Sequence, residues 1–212
     1  MCNKIRPERC VIFCASPEFY LAEMRSDDYV IACDGGYAHA VESGVRPDLV
    51  VGDFDSYDGR LDPTLKIVRV PCEKDDPDTM LAIKIALEDG YRDFMLLGVT
   101  GGRLDHLLSN VSSGAYIAEH GGRCVICDKY NVMHVIKDCR LELRGLKGQT
   151  LSVLSYTDES QGVTLGGMKY PLENGTLTNA FPIGQSNIVK EDVCSVEVKH
   201  GVLLVIEAGM AH

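Results

Sequence analysis

Short apolar runs separated by polar turns dominate the first part of the chain. Residues 10–14, 30–33, 49–51 and 94–97 are continuous apolar stretches, and 67–70 is a further one interrupted only by Arg69. Continuous rather than alternating hydrophobicity is the pattern of strands covered on both faces. Helix-like patterns lie between them. One covers residues 37–42 and is closed by Gly44. A second covers 80–90, has a wide apolar face and stops at Gly90. A third follows Asp105, with Leu107, Leu108, Val111 and Ala115 predicted on its inner side. Strands alternating with helices predict a mostly parallel α/β sheet up to about residue 130. The texture then changes. Residues 133–136, 140–143, 150–156 and 195–206 are strand-like, with turns and no helix between them, which predicts an all-β, sandwich-like C-terminal domain. The expected division is 1–137 and 138–212. Residues 162–172 have more pattern than a plain linker.

Composition narrows the functions. With 212 residues and 45% apolar content, the chain can bury a substantial core. A formal net charge of −10 argues against binding phosphate backbones or anionic lipid, so neither nucleic acid nor membrane is an expected partner. No apolar run approaches the ~20 residues of a membrane-spanning helix, and residues 1–8 lack the apolar core of a secretory signal. Nine irregularly spaced cysteines in a chain of this length fit a reducing cytoplasm better than a disulfide scaffold. The one Cys-x-x-Cys, Cys124 to Cys127, lies in a strand-like run without a second ligand pair and reads as structural.

Candidate chemistry gathers where the predicted strands end. The run Asp48-Leu49-Val50-Val51 passes through Gly52 into Asp53-Phe54-Asp55-Ser56, placing two carboxylates one residue apart at a strand end. Ligands of open α/β sheets collect at the carboxyl ends of strands. Paired carboxylates there repel unless a cation stands between them, and hard oxygen donors suit Mg²⁺ with substrate phosphates. Asp34-Gly35-Gly36 follows the second strand and allows close backbone approach to an anion. Asp75, Asp76 and Asp78 flank Pro77 ahead of the second long helix; capping accounts for one of them and leaves the others for a ligand. Gly98-Val99-Thr100-Gly101-Gly102-Arg103 joins a strand to a helix, a glycine-rich loop that phosphate oxygens can approach and Arg103 can pair with. It is neither a P-loop nor a Gly-x-Gly-x-x-Gly fingerprint. Asp105 can bind metal, orient Arg103 or cap the helix, and His106 stands beside it.

In this order the motifs resemble the thiamine pyrophosphokinase family. The resemblance covers nearly the whole chain and includes Gly162-Val163-Thr164, Lys169-Tyr170-Pro171-Leu172 and Ser186-Asn187 in the second domain. Pro77 stands where the family often has Thr, and Tyr170 where some members have Trp. The resemblance implies transfer of a pyrophosphoryl group from ATP to thiamine, giving thiamine diphosphate and AMP. It further implies a homodimer with active sites shared between subunits. On this reading Asp53, Asp55, Asp78, Arg103 and Asp105 are catalytic, and Asp53, Asp55, Asp75 and Asp78 hold Mg²⁺. Asp34, Gly35, Gly36, Thr100, Gly101, Gly102, Arg103 and His106 bind nucleotide, and Tyr170, Ser186 and Asn187 bind thiamine. Two other classes compete. A haloacid-dehalogenase-like phosphotransferase would use Asp53 as a nucleophile, and a sensor would bind without turnover.

Overall fold

The structure, a computed structural model, describes residues 5–53, 61–69 and 77–209. It divides into two compact units, the first running through Asp128 and the second starting at Lys129.

Six strands build the first unit: β1 (Arg9–Phe13), β2 (Tyr29–Cys33), β3 (Leu49–Gly52), β4 (Lys66–Arg69), β5 (Asp93–Leu97) and β6 (Arg123–Cys127). They lie in the order β6-β5-β1-β2-β3-β4, and every neighbouring pair is parallel. Burial on both faces explains the continuous apolar runs: all five residues of β1 and all four of β3 are buried. At an edge, β4 exposes both ends, and Lys66 and Arg69 are the charges that keep such an edge from pairing elsewhere. Helices α1 (Gly36–Glu42), α2 (Asp78–Glu88) and α3 (Leu104–Glu119) supply the crossovers. Pro77 is the N-cap residue of α2, immediately before its first turn. The chain moves outward from β1 to β4, then returns to β5 on the other side of β1. The β1–β5 boundary is therefore the switch point of the sheet, where ligand crevices form at carboxyl ends.

The expected inner face of α3 is corrected at one position. Leu108 is 58% exposed and Leu104 67% exposed, whereas Leu107 and Val111 are half-buried and Ala115, Ile117 and Ala118 are buried. Residues four apart share a stripe, and positions 104, 108 and 112 lie one step round from the stripe that meets the sheet.

Among the described residues, the β1–β2 connection carries no helix. Arg9 holds it from below: Nε and Nη2 donate to Asp28 Oδ1 (2.8 Å) and Oδ2 (2.6 Å), and Nη2 also donates to the Glu23 carbonyl (3.0 Å). This two-pronged bond to Asp28 raises the Arg9 pKa despite burial.

The second unit contains β7 (Asn131–Lys137), β8 (Arg140–Arg144), β9 (Thr150–Ser155), β10 (Glu159–Gly166), β11 (Leu172–Thr178), β12 (Asn187–Ile188), β13 (Val193–Glu197) and β14 (Val202–Ala208). Antiparallel pairing joins β12, β9, β14 and β7 in one group and β11, β10, β13 and β8 in the other. The two groups enclose a core of Leu151, Val153, Leu203 and Val205 against Val163, Leu165, Leu177 and Val196. Because β7 pairs along its length with β14, it belongs to this unit, and the division falls earlier in the chain than the sequence pattern placed it. Residues 195–206 are two strands, turning at Gly201 with φ 119°. Segment 162–172 carries the end of β10 and the start of β11.

Candidate functional site

The carboxyl ends of β1, β2, β3 and β5 converge in the first unit. β2 ends at Cys33, and Asp34 follows with φ 38°, a conformation that side chains other than glycine adopt at some cost in strain. Its N–H donates to the Val51 carbonyl at 2.9 Å, tying it to β3, and its Oδ1 atom is shielded from solvent. Gly52 is needed here: a Cβ at that position would lie 3.1 Å from the Asp34 backbone and Cβ. Asp53, half-buried, follows directly on this glycine. The first turn of α2 arrives at the same end. Thr79 Oγ1 donates to Cys14 Sγ (3.6 Å) and Cys33 Sγ to the Asp78 carbonyl (3.7 Å). Burial pushes the Cys14 thiol up to about 11 and the Cys33 thiol well above its ordinary value, so both act as neutral packing groups, not nucleophiles.

The glycines of Asp34-Gly35-Gly36 have a packing role. A Cβ on Gly36 would sit 2.0 Å from the Phe13 carbonyl oxygen, which belongs to β1 and cannot yield. Gly36→Ala is expected to destabilise the first unit by about 3 kcal/mol or more. Gly44→Ala, at φ 67° with no neighbour within 4 Å, should cost only about 1 kcal/mol. Thermal melting of the two variants checks this, and equal losses would show that the close contact relaxes.

The loop after β5 turns through Gly98, Gly101 and Gly102, all at positive φ. It ends at Arg103, whose Nε and Nη2 donate to Asp105 Oδ1 (3.1 Å) and Oδ2 (2.6 Å). Asp105 Oδ1 also accepts the His106 N–H at 3.0 Å. Arg103 holds the Asp105 carboxyl below its ordinary value, and Asp105 raises Arg103 in return. The side chains are 71% and 64% exposed, so the guanidinium stands at the surface of the loop, oriented and accessible. Thr100 is half-buried in the same loop, and His106 is exposed on α3.

A segment that motif reading missed completes this end of the sheet. Residues 15–19 run from β1 across the underside of the glycine loop, with Pro17 against Gly102 and the Glu18 side chain against Gly101. Ser16 and His39 link it to α1, and Phe19 stacks on His39 with ring centroids 4.5 Å apart. A Ser-Pro turn directly after a buried strand was the available signal. Cys124 and Cys127 are buried in β6.

Of the metal candidates, Asp55 and Asp75 lie outside the described residues, as does Asp76. Among the described residues no three His, Cys, Asp or Glu side chains are close enough to hold a metal ion. Asp34, Asp53 and Asp78 nevertheless stand at neighbouring strand and helix ends and offer oxygen donors only. That donor chemistry fits a hard divalent cation such as Mg²⁺.

In the second unit, residues 168–170 run antiparallel to 187–189, through the Met168–Val189 bridge and a Lys169 N–H bond to the Ile188 carbonyl (2.8 Å). Tyr170 and Asn187 are thus brought together. Asn187 is 4% exposed; its Oδ1 accepts the N–H groups of Tyr170 (3.0 Å) and Ile188 (2.9 Å), and its Nδ2 donates to the Tyr170 carbonyl (2.7 Å). Its amide is therefore largely committed to the backbone and holds Tyr170 in place. Tyr170 is 59% exposed, with Lys169 Nζ 5.0 Å from its ring centroid. Ser186, also exposed, has φ 57° and is fixed by its N–H bond to Ser152 Oγ (2.9 Å).

An α/β unit with acidic strand ends and a glycine-arginine loop, in one chain with a β-sandwich, defines a two-domain phosphoryl-transfer protein. The family profile "Thiamin pyrophosphokinase, catalytic domain" matches residues 20–126, and "Thiamin pyrophosphokinase, vitamin B1 binding domain" matches residues 133–203. The chain belongs to the thiamin pyrophosphokinase family. A curated thiamine pyrophosphokinase of Bacillus subtilis is 26% identical over 184 residues, covering 84% of this chain and 86% of the relative. A crystal structure of the Bacillus subtilis enzyme superposes with TM-score 0.86 at 24% identity, covering 95% of this chain and 99% of the other. One from Geobacillus thermodenitrificans gives TM-score 0.80 at 26% identity, covering 96% and 98%. The family's reaction is ATP-dependent pyrophosphoryl transfer to thiamine, which produces thiamine diphosphate.

Proposed function

We propose that the chain performs this transfer at the carboxyl ends of β2, β3 and β5. The convergence of Asp34, Asp53 and the Gly98–Arg103 loop carries the reading. The thiamine hydroxyl oxygen attacks the β-phosphorus of ATP. A new O–P bond forms, the bond from the β-phosphorus to the oxygen bridging it to the α-phosphorus breaks, and AMP leaves. A neighbouring carboxylate accepts the hydroxyl proton. Such a reaction needs positioning and charge neutralisation more than covalent help from the protein. Arg103 faces the polyphosphate with its planar fork, and the amides of the Thr100–Gly102 segment bind the phosphate oxygens. His106 and Asp34-Gly35-Gly36 border the nucleotide. Asp53, with Asp55, Asp75 and Asp78, would hold Mg²⁺, and Asp105 sets the direction of Arg103. Mg²⁺, when bound, supplies positive charge against the phosphate oxygens.

Thiamine is permanently cationic, so an aromatic face suits it. Tyr170 offers that face, Ser186 offers polar groups beside it, and Asn187 positions the tyrosine. The unit through Asp128 serves the nucleotide and the unit from Lys129 serves thiamine, in place of the 1–137 and 138–212 division expected from the sequence. We further propose a homodimer with sites shared between subunits, and sedimentation as a monomer during turnover would remove that arrangement. Consumption of ATP supports a cytoplasmic location; among the described residues no helix is long and apolar enough to cross a membrane. Incubation with thiamine, ATP and Mg²⁺ should yield AMP and thiamine diphosphate in equal amounts. Inorganic phosphate with ADP instead would point to a phosphohydrolase, and binding without products to a sensor.

A further inference from the structure

We propose that Ser16, backed by His39, is a positioning residue that turns the amides of Thr100 and Gly102 toward the polyphosphate of ATP. The inference rests on the site proposed above and extends it to a segment that no motif marked. β1 and β5 are neighbours at the switch point, so the loops that follow them face each other there. Ser16 is 9% exposed, and its N–H and hydroxyl are both committed to that junction. Its N–H donates to the Gly98 carbonyl at 3.0 Å. Its single hydroxyl proton is shared between the carbonyls of Val99 (3.1 Å) and Gly101 (3.4 Å). Its own carbonyl accepts the His39 Nε2–H at 2.9 Å, which fixes the imidazole tautomer with the proton on Nε2.

The consequence follows from peptide geometry. In a planar trans peptide, the carbonyl and the next residue's N–H point in opposite directions. Drawing the Val99 and Gly101 carbonyls down onto Ser16 therefore aims the N–H groups of Thr100 and Gly102 to the opposite side. Two outward amides, two residues apart in a loop with glycines at positive φ, offer a pair of donors to one anion. Without the hydroxyl, two carbonyls lose a buried partner and their peptide planes are free to rotate. His39 keeps Ser16 from retreating, and the Phe19 ring stacked on it keeps the imidazole in place.

The test uses the full-length protein and α,β-methylene-ATP, which carries no cleavable oxygen bridge between its α- and β-phosphorus atoms. Ser16→Ala is expected to weaken binding of the analogue about tenfold and to raise the KM for ATP similarly, roughly the loss of one oriented hydrogen bond to charge. The KM for thiamine should change little, and the melting temperature should fall by only a few degrees, about what two buried carbonyls losing one shared donor would cost. His39→Gln, which keeps an N–H donor at that reach, should behave like the parent, and His39→Leu like Ser16→Ala. If Ser16→Ala does not fold, the His39 pair decides. Parental nucleotide affinity in Ser16→Ala or His39→Leu would overturn the proposal. So would equal losses for both substrates together with a large drop in melting temperature, because Ser16 would then be only a structural residue. If the parent protein itself neither binds the analogue nor turns over, the site reading fails first and takes this inference with it.

Discussion

Asp53→Asn is expected to lower kcat by about 10²–10³-fold, equivalent to roughly 3–4 kcal/mol of transition-state stabilisation. Asp53 leaves a fully buried strand at its carboxyl end, directly after the glycine that packs against Asp34. Several carboxylates held at one end of a sheet repel one another, an arrangement that makes sense when a cation arrives with the substrate. Removing one charge keeps the shape and weakens the hold on the cation. The apparent Mg²⁺ requirement should therefore rise while the fold persists. Melting without Mg²⁺ should be unchanged or slightly higher, since sites of this kind exchange stability for function. Near-parental turnover at saturating Mg²⁺ would take Asp53 out of the metal-binding role. A covalent phosphoryl-Asp53 intermediate, trapped after mixing with ATP, would move the mechanism to the nucleophilic alternative.

How far the sequence could reach depended on whether a signal was local. The parallel strands were legible because a strand covered on both faces must be apolar throughout, as β1 and β3 are. The end of α2 was legible because Gly90, at φ 97°, needs the conformation glycine adopts freely. In the second unit β10 and β11 were read only as a patterned segment. β11 buries little beyond Leu177, so its polar, glycine-containing run carries hardly any alternation. The face of α3 was misjudged at Leu108 because its apolar-rich first turns offer two adjacent stripes, and only packing against the sheet chooses between them.

The site shows the same division. Carboxylates and glycines at strand ends announce themselves, whereas the groups that position them do not. Ser16 and His39 are 23 residues apart and meet only because β1 and α1 are folded together. Asn187 looked like a ligand for thiamine by residue type, yet the hydrogen bonds that consume its amide come from the backbone of Tyr170, and no spacing rule reports them. Gly36 read as a phosphate glycine, and the atom that forbids a side chain there is the carbonyl of Phe13.

Arg103→Ala is expected to reduce kcat/KM for ATP by about 10²–10³-fold, and Arg103→Lys to recover only a small part of it. The guanidinium is presented by the end of a glycine loop and held by a two-pronged bond to Asp105 that keeps its plane fixed. An ammonium has the charge without the fork, so it neutralises the polyphosphate but does not match two of its oxygens at once. Asp105→Asn should fall between parent and Arg103→Lys, since the fork survives but loses its rest position. None of these changes should alter the melting temperature appreciably, because both partners are exposed and surface pairs contribute little to stability. The sign of the pH dependence follows from the same pair. Asp105 is depressed in the folded protein, so the contact is fully present above the ordinary carboxylate range and is lost only as pH falls through the lowered value. The Arg103–Asp105 pair should therefore add no limb to the kcat/KM profile between about pH 5 and 9. Unchanged kcat/KM for ATP in Arg103→Ala would return Arg103 to the role of a helix-start residue paired with Asp105.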